Sequence, residues 1–331
     1  MRNWIAAITL ALCAAATPPP AKAAPYTAEY VFGDSLSDTG NLLRLAAANP
    51  AAFQGVALPL PPYLTGRYSN GPVWVEGLAQ SLGLPLQPSL AGGTNFSFAG
   101  ALTGGGSIPG VAAQAAGFLA ATGGAADPQA LYILGGGGND LRRATSADLA
   151  IAQNAADNIA AALAALYAAG ARNFLVATPP DVSLLPEVQG TGAALAAVRA
   201  LRAFLGEALR AELLADLAAF AALRPDAQVT SLDIFGLLRD AVADPARYGF
   251  TNVVDACLDA ASQSVCSTPG SFLFWDGIHP TAAGHDILAQ AALAALVPVP
   301  EPAALGLLAA ALLALGLAAR PGRRAAAAQP A

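Results

Sequence analysis

Basic side chains and soft ligands are scarce in this chain. Its 331 residues include two histidines, His279 and His285, three cysteines and one lysine, Lys22. So few histidines leave few candidates for a general base. No Cys/His cluster and no carboxylate pair has metal-ligand spacing, so neither a metal nor a cofactor is expected. Lys22, Arg2, Arg320, Arg323, Arg324 and Glu301 all lie in the end segments. The stretch between holds 11 basic and 21 acidic residues, a net charge of −10 against −6 for the whole chain. An acidic body without lysine argues against nucleic acid as a partner. Charged residues make up 11% and hydrophobic residues 55%. Much of that apolar share is alanine, which suits helices packed closely on a sheet.

With the ends set aside, about 275 residues remain, enough for one large domain with a substantial core. Apolar periodicity predicts helices over 73–82, 147–169, 191–223, 234–243 and 282–296, and strands over 172–177, 228–233 and 272–275. Their alternation predicts an α/β fold with a mainly parallel sheet covered by helices on both faces. Cys257 and Cys266 stand nine apart in a Ser-rich, loop-like stretch. In an oxidising compartment they are expected to form a disulfide, worth roughly 2–3 kcal/mol for so short a loop.

Four stretches carry the candidate chemistry. The apolar run Tyr30-Val31-Phe32 is broken by Gly33-Asp34-Ser35, which puts a hydroxyl where a strand ends; open α/β sheets place their sites at such ends. A serine needs a base, a group that orients the base, and donors for the oxyanion. Asp276-Gly277-Ile278-His279 supplies the first two: a carboxylate three residues before an imidazole can fold back onto Nδ1–H and leave Nε2 free for the serine proton. Two further strand-like runs end in Ala99-Gly100-Ala101 and Gly138-Asn139-Asp140. The N–H of Gly100, the amide of Asn139 and the N–H of Ser35 are candidate oxyanion donors. Asp34 and Asp38 are assigned to loop hydrogen bonds. His285 falls on another face of the helix that begins near Pro280 and is assigned a structural or solvent-facing place.

In their order and wide spacing these blocks resemble the SGNH, or GDSL, serine hydrolases, over roughly residues 28 to 296. Ser35, Gly100, Asn139 and the pair Asp276 and His279 fall in the four family blocks. The resemblance implies a flavodoxin-like three-layer α/β/α sandwich. It also implies cleavage of a carboxylic ester (lipid, short-chain or sugar ester) through an acyl-enzyme. A carbohydrate-ester deacetylase, a phospholipase and a non-catalytic binding protein on the same fold are the alternatives. The loop from Tyr63 to Gly71 is polar and aromatic, and in the resemblance such a loop can border the substrate cleft.

The two ends read as sorting segments. Residues 1–23 have a charged start at Arg2, an apolar stretch over 4–16 and the small-x-small site Ala21-Lys22-Ala23, the pattern of a secretory signal peptide. The hydrolase domain is expected over 24–297. Beyond it, over 298–331, Pro300-Glu301-Pro302 precedes 17 apolar residues, 303–319, and the basic tail Arg320 to Arg324. That length is near the lower limit for a membrane span, and the arginines predict a cytoplasmic end. The pattern is similar to the PEP-CTERM sorting signal, which implies an exosortase-type processing enzyme as partner and export to a Gram-negative envelope.

Overall fold

Strands form where short aromatic and branched runs stand between turns. The computed structural model describes residues 26–259 and 261–296. It begins with β1 (Glu29–Phe32), α1 (Asn41–Ala48), α2 (Trp74–Leu82) and α3 (Val111–Ala121). β2 (Leu131–Gly135) leads into the short α4 (Gly138–Arg142) and the long α5 (Ala150–Ala168). Then come β3 (Asn173–Ala177), α6 (Ala193–Leu223), β4 (Gln228–Leu232) and α7 (Ile234–Ala243). β5 (Asn252–Ala256), β6 (Phe272–Phe274) and α8 (Ala282–Leu296) close the order. Contacts divide the chain after Ala295, and every element from β1 to α8 lies in the unit ending there, save Leu296, the last residue of α8.

β1 to β4 pair in sequence order, all parallel, with Val31 opposite Ile133 and Ile133 opposite Leu175. Side chains alternate across a sheet. Phe32, Tyr132, Leu134, Phe174 and Val176 therefore enter one core, shared with buried residues of α3, α5 and α6. The alternate residues Val31, Ile133 and Leu175 are equally buried on the other face. The result is the expected three-layer α/β/α sandwich. In α5 the buried face is Ala152, Ala155, Ala156, Ile159, Ala162, Leu163 and Leu166, a three- and four-residue recurrence. Its small side chains let the helix lie close to its neighbours.

Two strand-like runs behave differently from expectation. The segment 95–101 is not a regular strand; Asn95 makes isolated parallel bridges to Val31 and Pro88. Side chains there take backbone donors that a ladder would use: Asn95 Oδ1 accepts from Ser97 N–H at 2.9 Å, and Asp38 Oδ2 from Ala99 N–H at 2.9 Å. This segment still flanks β1 on the side away from β2, so β1 ends between two oppositely directed crossovers, the switch point where α/β sheets open a crevice. β6 joins β5 in a separate parallel pair rather than the four-stranded sheet. The pairing continues past β5, where Leu258 N–H donates to Trp275 O at 2.7 Å. A disulfide joins Cys257 to Cys266 beside the buried Trp275, just before the Asp276 turn.

Glu29 opens β1 fully buried, and neither carboxylate oxygen has a hydrogen-bond partner among the described residues. Burial raises this carboxyl from 4.5 to about 8. The unfolded chain therefore releases the proton first, and Glu29 costs stability progressively as pH rises from 4.5 towards 8, with no cost below that window. Glu29→Gln should accordingly be more stable than wild type, by a margin that grows by roughly 2–3 kcal/mol between pH 6 and pH 9. Urea unfolding at the two pH values measures it; a margin that stays constant contradicts the reading.

Candidate active site

The loop after β1 is built by its own carbonyl and carboxylates. Asp34 O accepts from Ser37 and Asp38 N–H, and Asp34 Oδ1 accepts from Leu36 N–H at 3.0 Å, which turns the chain sharply around Ser35. Asp38 Oδ1 accepts from Gly40 and Asn41 N–H, both at 2.7 Å, and its Oδ2 from Leu42 and Ala99 N–H. One carboxylate thus ties the start of α1 to the Gly100 segment. Just ahead of the turn, the buried Gln114 of α3 clamps Gly33: its Oε1 accepts the Gly33 N–H at 2.8 Å and its Nε2 donates to the Gly33 carbonyl at 2.9 Å.

The second loop follows β6. Asp276 Oδ1 accepts from Ile278 N–H at 2.8 Å and His279 N–H at 2.7 Å, folding the chain so that the imidazole returns to its own carboxylate. His279 Nδ1 lies 2.8 Å from Asp276 Oδ2, and His279 Nε2 lies 2.9 Å from Ser35 Oγ, across 244 positions of sequence. Both Asp276 and His279 are buried, and Ser35 is half-buried at the rim. Burial pushes the Asp276 carboxyl up, but His279 and the hydrogen bonds it accepts outweigh this and bring it down to about 2. It is ionised at neutral pH. Asp34 is the opposite case: burial dominates and raises it to about 6, against the Leu36 N–H and the charge of His279.

Asn139 opens onto a cavity of about 320 Å³, counted with its open mouth, whose walls also include Ser35, His279, Leu36 and Arg142. It stands where β2 ends and α4 begins, after Gly137, whose φ of 99° puts the chain in the left-handed region that glycine tolerates. Its Nδ2 donates one hydrogen to Ala101 O at 2.9 Å, leaving a second for another acceptor. Gly100, at φ 80°, is not a wall of this cavity; its neighbour Ala101 is bonded to Asn139, and its neighbour Ala99 to Asp38 in the loop after β1. The N–H groups of Ser35 and Gly100 donate to no acceptor among the described residues.

Several contacts at the site were not singled out from sequence. Tyr63 OH donates to Asp276 Oδ2 at 2.8 Å, and the Tyr68 ring stacks on the His279 imidazole at 4.9 Å. Only the polar aromatic character of their loop signalled them. Arg142 holds Glu187 through two bonds of 2.7 and 2.8 Å, and Glu187 N–H donates to Gly277 O at 2.9 Å, linking α4 to the histidine turn. His285 is structural and not solvent-facing. It is buried, its Nδ1 accepts the Trp74 N–H at 3.2 Å, and burial lowers it to about 3.

A carboxylate, an imidazole and a hydroxyl thus stand in hydrogen-bonded series at the carboxyl end of a parallel sheet, where α/β folds place their sites. The chain belongs to the GDSL-like Lipase/Acylhydrolase family, which it matches over residues 30–292. It is 29% identical over 286 residues to the thermolabile hemolysin of Vibrio parahaemolyticus, covering 78% of this chain and 61% of that protein. It is 28% identical to esterase EstA of Pseudomonas aeruginosa, covering 84% and 48%, and 27% identical to a GDSL esterase/lipase of Arabidopsis thaliana, covering 81% and 85%. The chain therefore spans only part of the length of those two bacterial relatives. Among solved structures it is similar to Est24, a carbohydrate acetylesterase from Sinorhizobium meliloti, at 15% identity with a TM-score of 0.41 over 87% of this chain and 99% of the other.

Proposed function

We propose that this protein hydrolyses carboxylic esters through an acyl-enzyme on Ser35. The observation that carries this reading is the 2.9 Å approach of His279 Nε2 to Ser35 Oγ. His279 takes the Ser35 proton as Oγ attacks the ester carbonyl. The bond to the alcohol oxygen then breaks, and His279 returns the proton to that oxygen. Water repeats the sequence on the acyl-Ser35 ester and releases the acid. Asp276 orients the imidazole and stabilises its charged form. Ser35 N–H, Gly100 N–H and Asn139 Nδ2 receive the oxyanion. Their support is the unused donors on the two backbone groups and the spare hydrogen on Asn139. No cofactor takes part in this chemistry.

An acyl-enzyme gives a distinctive product pattern. With methanol added as a competing acceptor, the ratio of methyl ester to free acid should be the same for p-nitrophenyl and phenyl esters of one acid, since both pass through one intermediate. A ratio that changes with the leaving group argues for direct attack by water. Asn139→Ala removes one oxyanion donor and leaves the Ser–His–Asp series in place. It should lower kcat about 10²- to 10³-fold with little change in KM. Steady-state kinetics that return near-full kcat would remove Asn139 from the oxyanion site.

Export is the second part of the proposal. The signal-peptide pattern over 1–23 and the Pro-Glu-Pro, apolar and basic pattern over 298–331 lie outside the described residues. Among the described residues no helix is long and apolar enough to cross a membrane. The Cys257–Cys266 disulfide supports an oxidising compartment. We read the protein as exported to a Gram-negative envelope, with its last segment removed near Pro300 to Pro302 by an exosortase-type enzyme. Intact-mass measurement on protein from the native host should show Arg323 and Arg324 missing; their retention points to a plain membrane anchor.

A further inference from the structure

A second cavity, about 520 Å³ with its open mouth, adjoins the one that holds Ser35. The two share four walls, Leu36, Pro180, Leu185 and Ile278. From there the second cavity runs to Leu237 and Leu238 on α7 and Ile287 on α8, and every side chain that lines it is apolar. Leu36, Leu237, Leu238, Ile278 and Ile287 are only half-buried. Five large apolar side chains that face one groove and stay part-exposed mark a site with an apolar occupant. Beyond the four shared walls, the adjoining cavity is lined mostly by polar side chains, Ser35, Asn139 and His279 among them.

We propose that this cavity receives the acyl chain of the ester, and that butyryl to octanoyl groups are preferred over acetyl. The inference rests on Ser35 as the acyl acceptor. Two halves of an ester compete for the groove, and the reaction sequence separates them. The alcohol departs after the first step, and water must then reach the acyl-Ser35 carbonyl on the side the alcohol vacated. The acyl chain stays through both steps, so an apolar groove that excludes water serves it without blocking deacylation. A Ser35-bound carbonyl has Leu36 beside it in sequence and Ile278 beside the base, and both line the entrance.

The test compares two ester series: p-nitrophenyl esters from acetate to octanoate, and alkyl acetates of rising alcohol length. For the full chain, kcat/KM should rise about fourfold per methylene along the acyl series until the groove is full, and much less along the alcohol series. Leu237→Gln and Leu238→Gln should each lower the octanoate-to-acetate ratio of kcat/KM by about tenfold. Because both esters are read in one sample, a loss of folded protein cancels from that ratio. A flat acyl series, a steeper alcohol series, or an unchanged ratio in both variants overturns the proposal. Acetate turnover with a flat acyl series would sink the groove alone. No turnover of any ester would sink the Ser35 reading with it.

Discussion

Ser35→Ala should lose ester hydrolysis by roughly 10⁴- to 10⁶-fold in kcat while its unfolding curve stays close to wild type. The loss is large because no other hydroxyl is bonded to His279 Nε2, among the described residues. The fold survives because Ser35 is half-buried at a rim and the turn around it is made by Asp34 and Asp38, not by its Oγ. His279→Ala should fall into the same range. The other histidine, His285, is buried and bonded to the Trp74 N–H, so it cannot take over. Ester turnover at a tenth of wild type in Ser35→Ala would mean that another group carries the acyl chain.

Asp276→Asn is the second large effect. Asn keeps the shape but donates through Nδ2 where the carboxylate accepts. The contact of 2.8 Å to His279 Nδ1 then favours the tautomer with its proton on Nε2, which faces Ser35 and can no longer take a proton. The expected fall in kcat is about 10⁴-fold. Stability should change as well, with a defined sign. Asp276 is held at about 2 in the fold against 3.8 unfolded, so it stabilises the native state above that window and ceases to do so as pH falls through it. The variant should therefore lose stability relative to wild type at pH 6, and the gap should close towards pH 2. A kcat within tenfold of wild type would show that Asp276 does not set the tautomer of His279.

Much of this was legible because the signals are local. The helix over 282–296 and the strand at 228–232 follow from periodicity and turn residues, and the Asp276–His279 turn follows from a three-residue spacing closed by the Ile278 and His279 N–H groups donating to the aspartate side chain. What escaped depends on contacts distant in sequence. Gln114 clamps Gly33 from 81 positions away and Tyr63 reaches Asp276 across 213, and neither residue type points to a partner by itself. β5 escaped because Asn252, Val253, Val254, Asp255 and Ala256 carry no clear alternation and are set by pairing with the three-residue β6. Helical spacing alone leaves His285 either structural or solvent-facing, because it does not say that α2 packs over that face and presents Trp74 N–H to it. The segment 95–101 has the apolar look of a strand, yet the side chains of Asn41, Asn95 and Asp38 compete for its backbone, and side-chain competition of that kind is not read from hydrophobicity.

The most direct measurement is covalent. A fluorophosphonate reacts with a serine only where a base activates it and donors hold the phosphonyl oxygen. Incubated with the full-length protein at neutral pH, it should give one adduct per chain. Peptide mass spectrometry should locate it on Ser35, and Ser35→Ala should give none. A protein that hydrolyses esters but carries no adduct, or carries it on another residue, would contradict the nucleophile assigned here.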